Sequence, residues 1–117
     1  MPHMLLIVEP IGQREERGVE GGRVLYQQML DFTEDLRRAG VLMASSPLAS
    51  AATRLHRPEG TTASRVLDGP FTEAKEMVGG FLRLNCAARE AALGWAERCP
   101  ALSWATVEVR QTGPRFT

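Results

Sequence analysis

The stretch MLLIV at residues 4–8 is an uninterrupted apolar run that ends shortly before Pro10 and Gly12. A run of this length without polar alternation is typical of a short strand that is covered on both faces. The first strand of the fold is therefore expected to need packing partners on both sides of its sheet.

A helix is predicted to follow from Arg23 onward. Apolar residues recur there at helical spacing, and Gly40 stands just past the last turn, where a glycine commonly ends a helix. Residues 11–22 before it are polar and rich in glycine, and we expect them to form a solvated loop. The predicted core-facing positions of the helix are Leu25, Met29, Phe32 and Leu36.

Short strands and a second helix account for the rest of the chain. Residues 48–56 are expected to form an edge strand that pairs, through a turn, with a strand at 64–67. A strand is also predicted at 81–84, and another at 105–109, where apolar and polar residues alternate. The second helix is predicted over Ala87–Arg98, with Asn85 as its N-cap and Pro100 as its terminator.

The order of these elements is β, α, a β-hairpin, β, α, β, which predicts an α+β fold. Two helices that cross between strands of one sheet are expected to lie on the same face. The second face of the sheet is then left without helices. Because the first strand is apolar on both sides, this face must also be covered, and the same face of another copy is the simplest cover. We therefore expect a homodimer of a single domain spanning residues 1–117.

Composition excludes several classes of function. Lys+Arg and Asp+Glu number 14 each, so no net field attracts nucleic acid or an anionic membrane. The start of the chain does not resemble a signal peptide and no run is long enough to span a bilayer, so a cytoplasmic protein is expected.

The cysteine and tryptophan side chains are predicted to serve packing, and no cofactor is predicted. Cys86 and Cys99 lack the spacing of a zinc site and are expected to be reduced core thiols, so no metal or cofactor is predicted. Trp95 is expected in the core, and Trp104 either in the core or at an interface.

Asp68 is the strongest polar candidate for a functional site. It stands beside Gly69 at the end of a predicted strand, where a carboxylate could anchor a ligand or transfer a proton. An Asp before Gly-Pro equally caps its own turn by accepting a backbone N–H. His56 is the second candidate for proton transfer, although an exposed histidine in a turn needs no such role.

Three arginines and three glycines complete the predicted ligand site. Arg54, Arg65 and Arg83 lie on separate predicted strands and could converge on a carboxylate or phosphate, or be scattered on the surface. The glycines would let a ligand approach the backbone closely, or serve only a tight turn and a β-bulge. They are Gly69, Gly79 and Gly80.

The stretch DGPFTEAKE at residues 68–76, followed by GGF at 79–81, resembles the signature of the DGPF subgroup of YCII-related proteins. Residues 32–42, 95–100 and 107–110 resemble the same family in the expected order. The resemblance implies a ferredoxin-like dimeric α+β barrel. Some YCII-related proteins carry a His–Asp pair proposed as an acid–base dyad, with the His on the first helix, and here the aligned position is close to Met29.

Two functions are consistent with this pattern. The first is a small-molecule-binding dimer, with a cleft near the DGPF turn and Asp68 as its polar anchor. The second is a non-enzymatic regulatory or interaction module, because the resembled family often occurs beside genes for extracytoplasmic-function sigma factors in bacteria.

Overall fold

A computed structural model describes residues 1–69, 71 and 74–113 of the chain. The elements follow the predicted order, with one additional strand directly after the first helix. They are β1 (His3–Pro10), α1 (Gln13–Arg38), β2 (Leu42–Pro47), β3 (Thr53–His56), β4 (Arg65–Asp68), β5 (Glu76–Leu84), α2 (Arg89–Arg98), a 3-10 turn (Pro100–Ser103) and β6 (Thr106–Gln111).

Four of the strands form one antiparallel sheet in the order β2-β5-β1-β6. With α1 and α2 as the crossovers, this is the ferredoxin-like β-α-β-β-α-β arrangement. The predicted α+β fold class is therefore confirmed. The hairpin of β3 and β4 is an addition to it, placed along the chain between β2 and β5, and its two strands pair with each other.

The hydrophobic core lies between the sheet and the two helices. Alternate residues of the central strands, Leu5 and Ile7 on β1 and Leu82 and Leu84 on β5, are buried on the helical side. The helices contribute a stripe of side chains with helical spacing to the same cluster: Phe32, Leu36, Ala92 and Ala96. Burial of these apolar surfaces is the main term that holds the two layers together.

Both cysteines are buried free thiols, as the sequence predicted. Burial raises the pKa of Cys86 and of Cys99 above the ordinary value for a thiol, because desolvation disfavours the thiolate. A hydrogen bond from the backbone at Ala101 partly offsets the rise at Cys99. Both side chains are therefore inert packing groups of the core.

The predicted loop at residues 11–22 is wrong, because α1 already begins at Gln13. Glu15 and Glu16 lie in its first turn, where carboxylates interact favourably with the positive end of the helix dipole. Gly18 then interrupts the helical geometry with a φ of 78° and a ψ of 175°, a conformation that essentially only glycine adopts. The glycines thus mark a kink within one helix, and Gly40, with a φ of 74°, ends it as predicted.

The strand predicted at 48–56 is present only over its last four residues, and β2 lies upstream of it. Pairing with β5 forms β2 although Ala44, Ser45 and Ser46 have little strand preference, so its position depends on its neighbour in the sheet. β5 in turn begins at Glu76, several residues before the predicted start.

Asn85 does not cap the second helix. Its backbone N–H donates to the Val41 carbonyl at 2.7 Å and continues the pairing of the sheet, and α2 begins at Arg89 after Ala88. The helix begins later than predicted because Asn85 pairs with the neighbouring strand and is therefore not in position to cap a helix.

The second face of the sheet carries the remaining alternate residues of β1, namely Met4, Leu6 and Val8. These side chains are half-buried and lie opposite the helical side. The molecule is only 18 Å across in its thinnest direction, which corresponds to one sheet and one layer of helices. Within the described residues, no helix packs on this second face.

Candidate ligand-binding cavity

A cavity of about 850 Å³ lies between α1 and the ends of β1, β2 and β5. Its apolar wall comes from Leu25 and Met29 on α1 and from Ile7 and Leu82 on the sheet. Volumes of a few hundred to about 1,000 Å³ with a mostly apolar wall are usual for sites that bind small organic molecules. The helix kinks at Gly18, and Gly18 also lines the cavity.

A buried ion pair stands at one end of this cavity. Glu9, the last buried residue of β1, is 1% exposed, and its Oε1 accepts a hydrogen bond from Nε of Arg14 at 2.6 Å. The guanidinium also donates to the Leu48 carbonyl at 2.8 Å and to the Gly79 carbonyl at 3.2 Å. These three bonds fix Arg14 and connect β1, α1, β5 and the segment after β2.

Gly79 makes room for this ion pair. The pairing of β1 with β5 shifts by one residue between Ile7 and Val8, which leaves Gly79 as the extra residue of a β-bulge. A Cβ on residue 79 would lie 2.1 Å from Oε2 of Glu9 and 2.8 Å from Nη2 of Arg14, distances at which these atoms overlap. The bulge predicted from the glycine pair is therefore present, and a side-chain carboxylate approaches the backbone there.

A second polar group lines the cavity at the kink of α1. The guanidinium carbon of Arg17 lies 5.2 Å from the centre of the Trp104 ring, in a cation–π contact. Gly21 provides space for the stem of Arg17, since a Cβ there would lie 2.5 Å from its Cγ. The indole Nε1 of Trp104 is buried and has no hydrogen-bond acceptor among the described residues.

The structure brings only two of the eight predicted site residues to this cavity, and these are Gly79 and Gly80. Asp68 and His56 lie at opposite ends of the β3–β4 hairpin and are exposed. Asp68 accepts a hydrogen bond from the Thr53 hydroxyl at 2.6 Å, across the hairpin.

The other predicted site residues are spread over the hairpin and the sheet. Arg54 and Arg65 lie on β3 and β4, and the Arg54 guanidinium carbon is 3.7 Å from the centre of the Phe71 ring. The backbone N–H of Gly69 donates to the Ala52 carbonyl at 2.8 Å, and Arg83 is exposed on β5. Three residues of the DGPF stretch, Pro70, Thr72 and Glu73, lie outside the described residues.

Sequence reasoning missed Glu9, Arg14 and Arg17. One signal for Glu9 was available: it follows Leu5 and Ile7 at the two-residue spacing of a strand, so it faces the same buried side. The sequence is consistent with Trp104 either in the core or at an interface, and in the structure Trp104 lines the cavity.

Met29 lies where the family resemblance expects a helical histidine, and it lines the cavity with its sulfur 4.0 Å from Sγ of Cys99. Both histidines of the chain lie elsewhere. His3 is buried, with its Nδ1 2.7 Å from the Cys86 carbonyl, and His56 is on the hairpin. A His–Asp dyad at the helix position is therefore absent from this chain.

The described part of the chain contains neither a membrane-spanning helix nor a cluster of metal ligands. No helix there is long and apolar enough to cross a membrane. No group of three or more His, Cys, Asp or Glu residues is arranged to hold a metal ion.

Comparisons with known proteins agree with this fold. The model of the YCII-related domain matches residues 1–114. The structure is similar to that of 5-chloro-2-hydroxyhydroquinone dehydrochlorinase (TftG) from Burkholderia phenoliruptrix AC1100, solved in complex with 2,5-dihydroxybenzoquinone. The TM-score is 0.55 at 16% sequence identity, over 97% of this chain and 94% of the other. No curated protein matches the sequence.

Proposed function

The chain belongs to the YCII-related family, and we propose that it binds a small organic molecule in the cavity between α1 and the sheet. The observation that carries this proposal is the pairing of an apolar cavity of about 850 Å³ with a buried Glu9–Arg14 ion pair at one end. Few polar groups in a largely apolar wall are the usual means of orienting a small ligand. That TftG was solved with a quinone bound is compatible with such a role.

We propose that Glu9 accepts the proton if the ligand loses one, because an ion-paired carboxylate can act as a base. Its carboxylate lines the cavity and is held by Arg14, so its position is fixed before a ligand arrives. Asp68 and His56 stay predictions for a separate site at the hairpin.

Binding is tested with 2-naphthamide, a neutral planar compound small enough for the cavity, by isothermal titration calorimetry. We expect the variant Leu25→Arg to weaken binding by about tenfold or more, because a long charged side chain would enter the apolar wall. The matched control is Val24→Arg, since Val24 is exposed on the same helix and does not line the cavity.

Two results would contradict this proposal. One is the absence of binding to the unmodified protein, and the other is equal binding by both arginine variants. Asp68→Asn separates the cavity from the predicted DGPF cleft: it should leave binding unchanged, and a loss there would place the ligand at the hairpin.

We propose in addition that the protein is a homodimer, in a cytoplasmic setting, through the second face of the sheet. Met4, Leu6 and Val8 form an apolar strip on this face, and β5 places Phe81 beside Leu6. Charged residues such as Arg83 and Glu108 lie around this strip. A central apolar patch within a polar rim is typical of a two-fold interface.

Light scattering at micromolar concentration is expected to give about twice the monomer mass of 12.9 kDa. Leu6→Glu should shift the protein to the monomer, because it places a charge in the centre of the apolar strip. Val24→Glu on the opposite side of the molecule should remain dimeric. A monomeric unmodified protein, or a dimeric Leu6→Glu variant, would rule out this interface.

A regulatory or interaction role is the second candidate function. The exposed hairpin favours it, because Leu55 is 69% and Val66 is 63% exposed and the two lie opposite each other on one face. A two-stranded hairpin with exposed apolar residues is a usual surface for contact with another chain. A sigma factor of the extracytoplasmic-function type is the partner that the family resemblance suggests.

A further inference from the structure

We propose that the ligand of the cavity carries a carboxylate, and that Arg17 and the indole N–H of Trp104 bind it. This inference rests on the proposed ligand-binding function and names the chemical class of the ligand. It assigns the recognition of the charged group to the end of the cavity at the kink of α1, away from the Glu9–Arg14 pair.

The arginines that line the cavity differ in whether they have a carboxylate partner. Three arginines line it, and two of them already have a carboxylate partner: Arg14 pairs with Glu9, and Arg37 pairs with Glu34 on its own helix. Arg17 has no carboxylate partner among the described residues, and its contact is with the Trp104 ring. One lining cation is therefore available for an anion.

Glu15 is a further charged residue of the lining, and it does not compensate Arg17. It forms no ion pair within the described residues and is exposed to solvent, where its charge is screened. Arg17 is half-buried, so its charge is less screened on the side of the cavity.

The indole N–H of Trp104 is a second polar group at this end of the cavity, and it carries no charge. A buried donor without an acceptor is rare in proteins and costs free energy. Trp104 lines the cavity, and a ligand oxygen beside Arg17 would satisfy this donor after a small shift of the side chains that now cover Nε1. Arg17 and Trp104 are in contact, so the guanidinium and the indole N–H are close enough to bind one oxygen-rich group.

The geometry of Arg17 is built into the helix. The positive φ of Gly18 follows directly after Arg17, and the missing side chain of Gly21 gives space to its stem. A guanidinium in cation–π contact with an aromatic ring can still donate its N–H groups to a planar two-oxygen acceptor. A carboxylate has this shape, and its single charge matches Arg17, the one lining arginine without a carboxylate partner among the described residues. A phosphate dianion would leave one charge uncompensated in an apolar cavity.

The test compares two ligands of the same shape, 2-naphthoate and 2-naphthamide, by titration calorimetry at neutral pH. We expect the naphthoate to bind about tenfold more tightly to the unmodified protein, the usual effect of a charge-assisted hydrogen bond. Arg17→Gln should abolish this preference, because it should weaken naphthoate binding by about tenfold and naphthamide binding much less. Arg23→Gln is the matched control, because Arg23 lies on the same helix, is exposed and does not line the cavity.

Two further variants test the individual contacts. Trp104→Phe keeps a ring beneath Arg17 but removes the N–H, and it should weaken naphthoate binding by a smaller factor of about three to ten. Gly21→Ala should reduce the preference for naphthoate by displacing Arg17, although alanine is the better helix former.

The outcomes separate the two proposals. Equal affinity for both ligands would overturn the proposal that the ligand carries a carboxylate, and it would leave the cavity as a binding site. A preference that survives Arg17→Gln would overturn the assignment to Arg17. If neither ligand binds, both the carboxylate and the cavity site are overturned.

Discussion

Replacement of Arg14 by methionine is expected to lower the free energy of unfolding by about 3 kcal/mol. The change removes the cation that pairs with Glu9 and leaves a carboxylate that is 1% exposed without its partner. It also removes the donors to the carbonyls of Leu48 and Gly79. Chemical denaturation followed by circular dichroism measures this loss.

Two comparisons decide whether the loss comes from the buried carboxylate. The double variant Glu9→Gln/Arg14→Met should recover much of the stability, because a neutral amide costs less to bury than an unpaired carboxylate. Arg23→Met removes an arginine from an exposed ion pair with Glu20 and should cost less than about 1 kcal/mol. An Arg14→Met variant as stable as Arg23→Met would show that the Glu9–Arg14 pair does not form as described.

Leu36→Ala is expected to lower the free energy of unfolding by about 2–5 kcal/mol. Leu36 is 0% exposed and lies in the core cluster with Phe32 and the central strands, so its truncation leaves a cavity that the surrounding side chains cannot fill. The measurement is again a denaturant titration, with the midpoint and the slope both recorded.

Leu25→Ala is the matched comparison, with the same change of side chain on the same helix. Leu25 is only half-buried and borders the existing cavity, so less packing is lost and we expect a cost of about 1 kcal/mol or less. Equal losses at both positions would contradict the placement of Leu25 on the cavity wall. The distinction matters because the sequence pattern assigns both leucines to the core.

The elements that the sequence predicts well are those with a strong local pattern. The helical spacing of Phe32 and Leu36 identifies the buried face of α1, and the alternation at residues 105–109 identifies β6. The N-terminal part of α1 was missed because the glycines at 18, 21 and 22 are typical of loops, whereas here one of them forms a kink and another gives space to a side chain. β2 was missed because its pairing partner lies about forty residues away along the chain.

The site was harder to predict than the fold for a physical reason. Gly79 and Gly80 were identified, since paired glycines are an unusual choice within a strand. Glu9 and Arg14 were not, because a charged residue at the end of a strand and another in a polar stretch are ordinary surface features. Only the packing of α1 over the bulge in β5 brings them together, and that arrangement depends on contacts between residues about seventy positions apart.

The excursion of the chain through β3 and β4 is bounded by two backbone hydrogen bonds at the edge of the main sheet. Leu48 donates to the Gly79 carbonyl at 2.9 Å where the excursion begins, and Ile11 donates to the Lys75 carbonyl at 3.0 Å where it ends. The β3–β4 hairpin lies between these two bonds along the chain, and no residue of β3 or β4 lines the cavity. In mechanical terms these bonds anchor the hairpin at its base, and a movement of the hairpin is expected to leave the cavity unchanged.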